Sequence, residues 1–191
     1  MKQERRWRLF GATFSLWGLV LFGGSIAAWA KELKLVPEPK QVERREGAFR
    51  VTRGVRIALG SAHAREDRIA AEMLAGEIQA ATGQKPGITT SREVPSSTDV
   101  IYLGRIGDDH RLRAALAARG LTADETFDPE GYLLDADRGH VWVAGTTGQG
   151  LFYGVQTLRQ LLHPAEGPRG RKEMACPALR IKDWPAMRWR G

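Results

Sequence analysis

Residues 145–162, GTTGQGLFYGVQTLRQLL, decide how this chain is read. Gly145, Gly148 and Gly150 stand just ahead of an apolar repeat, the arrangement that phosphate-cradling loops use. The chemistry excludes both familiar loops of that kind. Gly145 to Gly150 has the Walker spacing, but Leu151 stands where the lysine is required. Gly148-Gln149-Gly150 opens a dinucleotide pattern whose third glycine falls on Tyr153. What remains is a tightly made strand-to-helix turn. Thr146 is expected to cap a helix over 147–162, with Gln149 reaching back in a capping box. Leu151, Phe152, Val155, Leu158, Leu161 and Leu162 then form a stripe that must lie on a sheet, and the glycines permit close packing.

Upstream, GYLLDADRGHVWVAG reads as a hairpin, with Tyr132 and Leu134 on one arm, Val141 and Val143 on the other, and Asp137-Arg138-Gly139 in the turn. VIYLG is a short apolar run typical of a buried strand, and 109–119 form a helix with Leu112 and Leu116 inward, ended by Gly120. Residues 64–82 carry helical periodicity. Ile69, Met73, Leu74, Ile78 and Ala81 mark the inward face, Glu66, Asp67, Glu72 and Glu77 lie largely away from it, and Gly83 is the C-cap. Before them Phe49 and Val51, then Val55, Ile57 and Leu59, alternate as half-buried strands. Pro37 and Pro39 keep the chain ahead of them extended, and KPGITTSREVPSSTD reads as a loop. The fold class expected is α+β: a mixed or mostly antiparallel sheet with helices 64–82 and 147–162 packed on one face.

The chain of 191 residues has room for one well-buried domain, and 42% apolar with 27% charged residues is ordinary for a globular protein. Of the formal charge of +7, residues 1–30 supply +3, which leaves +4 elsewhere. That excess does not call for nucleic acid, and no aromatic residues interleave with the basic ones on an expected face. The single Cys176 cannot form an internal disulfide and reads as a small buried hydrophobe. His63, His110, His140 and His163 lack the close spacing of a zinc site, so neither a metal nor a cofactor is expected.

A basic segment, Lys2 to Arg8, precedes 22 uncharged residues, Leu9 to Ala30, ending in Ala28-Trp29-Ala30. This matches a secretory signal peptide over residues 1–30, cleaved before Lys31. An uncleaved anchor is the other reading, since 22 residues can span a bilayer. Export is expected either way, to a secreted or periplasmic location, with membrane contact only if residues 9–30 are retained.

Three segments together resemble a known family. LVPEPKQVERREGAFRV looks like the opening of the small N-terminal domain of family 20 glycoside hydrolases, the β-N-acetylhexosaminidases. GYLLDADRGHVWVAGTTGQGLFYGVQTLRQLL is similar to its closing hairpin and helix, and LRIKDWPAMRWRG resembles the passage into the first strand of the catalytic barrel. Domains of this kind also precede the barrels of family 84 and family 67 enzymes, which leaves the subfamily open. The resemblance implies a domain over 31–180, with 181–191 as linker and first barrel residues.

The resemblance implies an enzyme that removes terminal N-acetylhexosamine from glycans, with its chemistry outside this sequence. In the family an adjacent Asp-Glu pair on the barrel serves a substrate-assisted reaction, in which the acetamido oxygen attacks the anomeric carbon while the Glu protonates the leaving oxygen. No catalytic residue is therefore assigned here. Asp108-Asp109 sit beside a helix start, and Asp135 and Glu130 flank a hairpin; none is recruited in place of the pair. One residue carries over by resemblance. Arg190, in Trp189-Arg190-Gly191, matches the arginine that grips hydroxyls of the terminal sugar, against the reading of a surface arginine in a basic tail. A free-standing secreted scaffolding or glycan-binding module is the alternative from another class.

Overall fold

The structure, a computed structural model, describes residues 33–93, 95–123 and 127–186. Residues 1–30, read as a signal peptide, and Arg190 lie outside the described residues. Among the described residues eight strands and three α-helices follow one another: β1 (Gln41–Val51), β2 (Arg56–Gly60), α1 (Ala64–Thr82), β3 (Gly87–Ser91), β4 (Val100–Arg105), α2 (His110–Ala118), β5 (Tyr132–Ala136), β6 (His140–Gly145), α3 (Gly148–Leu161), β7 (His163–Glu166) and β8 (Lys172–Asp183). They build one sheet in the order β1-β8-β5-β6-β4-β2-β3, with β7 also pairing β8. β3, β2, β4 and β6 run parallel, and the pairs β6–β5, β5–β8, β8–β1 and β8–β7 are antiparallel. The fold is α+β with a mixed sheet, and α1 and α3 share one face as expected.

That face holds the larger core. Leu74 and Ile78 of α1 and Leu151, Val155 and Leu158 of α3 bury against Leu59, Leu103, Leu134, Val143 and Ile181 of the sheet. The opposite face packs Leu112 and Leu116 of α2 on Val100, Tyr102, Leu133 and Trp142. Strands β2, β4, β5 and β6 therefore bury residues of both parities, which is why VIYLG shows no alternation.

Several local expectations hold. Gly83 caps α1 in the left-handed region at φ 76°, its N–H donating to the Gln79 carbonyl at 2.8 Å. The hairpin pairs Tyr132 with Gly145, Leu134 with Val143 and Ala136 with Val141. In its turn the Asp137 Oδ1 accepts from the Gly139 and His140 amides at 2.7 and 2.8 Å. Cys176 is fully buried, and burial pushes its thiol up to about 12, so it packs as a hydrophobe.

The start of α3 differs by one residue from the expectation. Thr147, not Thr146, is the N-cap, accepting from the Gly150 amide at 3.4 Å. Thr146 turns instead to the Gly131 carbonyl, which its backbone N–H meets at 3.0 Å. With the cap at Thr147 the position for a capping-box partner is Gly150, which has no side chain; Gln149 donates to the Tyr153 hydroxyl at 3.0 Å. Gly150 is needed for approach: a Cβ there would overlap the Gly131 carbonyl oxygen, and one at Gly154 would stand 2.6 Å from Val143 Cγ1. The glycines of the opening stretch are a packing device.

The inward face of α1 is rotated from the expected one. Ala70, Ala71, Leu74, Ala75 and Ile78 are buried, while Ile69 is 66% and Met73 38% exposed. Small side chains let α1 lie close to the sheet and to α3, and this outweighs burial of two larger residues. Asp67, expected outward, is buried and paired. The segment read as a loop contains β3, a short polar edge strand parallel to β2 whose mostly exposed residues carry no apolar alternation. β7 and β8 went unread in the sequence, although β8 lies between β1 and β5 for much of its length. A register shift between Arg44 and Ala48 of β1, opposite Pro177–Leu179, explains why. Along β8 the core residues are first Met174 and Cys176, then Leu179 and Ile181, so the alternation changes parity mid-strand.

Candidate functional site

β8 runs in the same direction as β6, β4 and β2, because β5 is antiparallel to both β8 and β6. In the register Asp183 and Gly145 both stand opposite Tyr132, and Arg105 stands opposite Gly145. The exit of β8, the start of α3 and the end of β4 thus share one edge of the sheet. The exit is fastened there. The Lys40 amide donates to Asp183 Oδ1 at 3.1 Å, and its ammonium donates to the Pro185 carbonyl at 3.4 Å while standing 4.7 Å from the centre of the Trp184 ring. Phe127 meets Trp184 edge to face at 5.9 Å, with Lys182 5.0 Å from the Phe127 ring. Arg190 lies outside the described residues.

The carboxylates set aside in the sequence have structural partners. Asp109 caps α2, its Oδ1 accepting from the Arg111 and Leu112 amides at 3.0 Å each, and its Oδ2 from the Tyr102 hydroxyl at 3.0 Å. Asp108 Oδ2 lies 2.8 Å from His63 Nε2. Asp135, fully buried at the side chain, accepts from Arg45 and Arg119 and has Arg180 Nε at 3.5 Å. Glu130 keeps one carboxylate oxygen buried without a hydrogen-bond partner, and its backbone N–H donates to Asp128 Oδ1 at 2.8 Å. Among the described residues no three His, Cys, Asp or Glu side chains stand together as metal ligands. No described helix is long and apolar enough to cross a membrane.

Along the same edge a cleft of about 180 Å³ opens beyond β2 and β4, between the start of α1 and the start of α2. Arg105 closes its floor by gripping Asp67 through Nε and Nη2 at 2.6–3.1 Å. In the sequence His63 and His110 appear only as scattered histidines, and Arg92, Arg105 and Arg111 only as part of the charge. The signal available is their position: each stands at or after the end of a strand, where a parallel sheet gathers its connections.

The family described as glycosyl hydrolase family 20, domain 2, matches residues 32–184. A β-hexosaminidase of Porphyromonas gingivalis is 30% identical over 169 residues, which covers 87% of this chain and 19% of that protein. The GH20 β-N-acetylhexosaminidase of Streptomyces coelicolor is 30% identical with a TM-score of 0.56, covering 81% of this chain and 27% of its own. A chitobiase of Flavobacterium johnsoniae, 22% identical with a TM-score of 0.58, covers 83% of this chain and 22% of its own and shares the fold. The chain thus spans about a fifth to a quarter of the length of these relatives. With a buried sheet, two helices on one face and a family match over 32–184, the chain belongs to the family of domain 2 of glycosyl hydrolase family 20, an N-terminal, non-catalytic domain.

Proposed function

We propose that this chain is the N-terminal, non-catalytic part of an exported β-N-acetylhexosaminidase-like glycoside hydrolase that removes terminal N-acetylhexosamine from glycans. The observation that carries the reading is the 30% identity to a β-hexosaminidase over 169 residues, joined to the family match. The domain braces a catalytic barrel, for which about 250 residues are needed. Arg190 follows the fastened exit of β8 and serves on that barrel as a fork for two hydroxyls of the terminal sugar. The proton donor and the group that orients the acetamido oxygen belong to the barrel.

The test compares a longer protein that includes the barrel with the 191-residue chain on an aryl N-acetyl-β-glucosaminide. The longer protein turns the substrate over and the short chain matches a heat-killed control, because general-acid help worth about 10²–10⁴ in rate is missing from it. Arg190→Ala in the longer protein lowers kcat/KM and leaves the melting temperature unchanged. Turnover by the short chain overturns the reading, and an inactive longer protein favours a scaffolding or glycan-binding module.

A further inference from the structure

We infer that the cleft beyond β2 and β4 is a binding site for an oxyanion, a phosphate or sulfate, held by Arg92, Arg111 and His110. β2 and β4 are adjacent and parallel, with Leu59 opposite Leu103. The helices that follow them leave to opposite faces: α1 packs with Leu59 and Leu103, and α2 packs with Tyr102 and Trp142. Where successive connections diverge in this way a crevice opens at the carboxyl ends of the strands, the place where parallel sheets take up ligands.

The charges in the crevice select the ligand. Three carboxylates line it, and each is already engaged. Asp67 is held bidentately by Arg105, Asp109 is filled by two amides and the Tyr102 hydroxyl, and Asp108 is held by His63. The remaining nitrogen-bearing side chains of the lining are not matched in the same way. The Arg92 guanidinium and the His110 ring make no hydrogen bond or ion pair among the described residues. Arg111 donates from Nη1 to the Arg92 carbonyl at 3.2 Å, which brings the segment after β3 against α2, so that Arg92 and Arg111 both line the cleft. The Arg111 guanidinium has the Glu93 carboxylate at 3.8 Å, with both side chains more than half exposed, a pairing worth little in water. Glu66, 3.9 Å from His63, is the other nearby anion and is also solvated. Guanidinium forks match tetrahedral oxyanions through paired N–H donors, so an anion is the species that completes this mouth.

This site is independent of the glycosidase reading, and its test does not involve hydrolysis. Calorimetric titrations of the 191-residue chain at constant ionic strength use inorganic phosphate, glucose 6-phosphate and glucose 6-sulfate. Saturable binding of at least one is expected, with a dissociation constant on the order of millimolar, a few kcal/mol. The double variant R92E/R111E weakens it at least about tenfold, the loss of one charge-assisted hydrogen bond or more. Arg169→Glu, in the distant hairpin between β7 and β8, leaves it unchanged. Tighter binding of inorganic phosphate identifies the free ion as the ligand, and tighter binding of either sugar ester identifies an anionic sugar. No saturable heat with any of the three overturns the proposal. So does equal affinity in R92E/R111E, or equal weakening in R169E, since either reports only the general positive charge of the chain.

Discussion

Asp135 and Arg119 are joined across the face of the sheet that α2 covers: the buried carboxylate of β5 accepts from the guanidinium that follows α2. Its other oxygen accepts from Arg45, at the bulge of β1. Arg119 also reaches Asp137 and stands 4.6 Å from the centre of the Trp142 ring. One carboxylate therefore ties β1 and the end of α2 to β5.

Replacing Asp135 with Ala leaves these arginines facing a buried gap. Breaking a buried pair costs about 3–5 kcal/mol, and the arginines, each about a quarter exposed, recover part of that by taking up water. A loss of about 2–3 kcal/mol is expected in urea unfolding. A loss below about 0.5 kcal/mol shows that the cluster is a solvated surface network.

Asp137 provides a pH dependence with a definite sign. Burial works to raise its carboxyl, but the Arg119 guanidinium and the Gly139 and His140 amides outweigh it and hold the group at about 2, below the ordinary 3.8. A depressed carboxylate stabilises the fold above its unfolded value and loses that contribution as pH falls toward the folded one. The stability gap between wild type and Asp137→Asn should be constant at neutral pH and should close between pH 3.8 and about 2. A gap that widens on acidification contradicts the assignment.

Leu158 lies fully buried in the middle of the α3 stripe. Leu158→Ala should cost about 2–5 kcal/mol, transfer plus cavity, measured by denaturant melts. Ile69→Ala, on the exposed side of α1, should change stability by less than about 0.5 kcal/mol. Equal effects at the two positions contradict the observed rotation of α1.

Export is tested by N-terminal sequencing of protein recovered outside the cytoplasm. The mature chain should begin at or near Lys31. Membrane-bound material that begins at Met1 points to an anchor.

The sequence by itself determined the elements whose cause is local. α2, the bounds of α1 up to Gly83, the Asp137 hairpin and the stripe of α3 follow from periodicity and from donors and acceptors a few residues apart. The resemblance that places the chain in its family rests on such segments too. The tertiary structure alone decided what depends on distant partners. α1 turns its alanines inward because the sheet and α3 leave little room, and no pattern within α1 distinguishes that face from the one bearing Ile69 and Met73. β8 became visible only through its pairing with β1 and β5, since the register shift erases its alternation. Arg45, Arg119 and Arg180 around Asp135, and Arg92 beside the start of α2 at the cleft, are brought together from separate elements by the closing of the sheet. Contacts between residues far apart in the chain leave no local trace, because the free energy that selects them is released only when the layers pack.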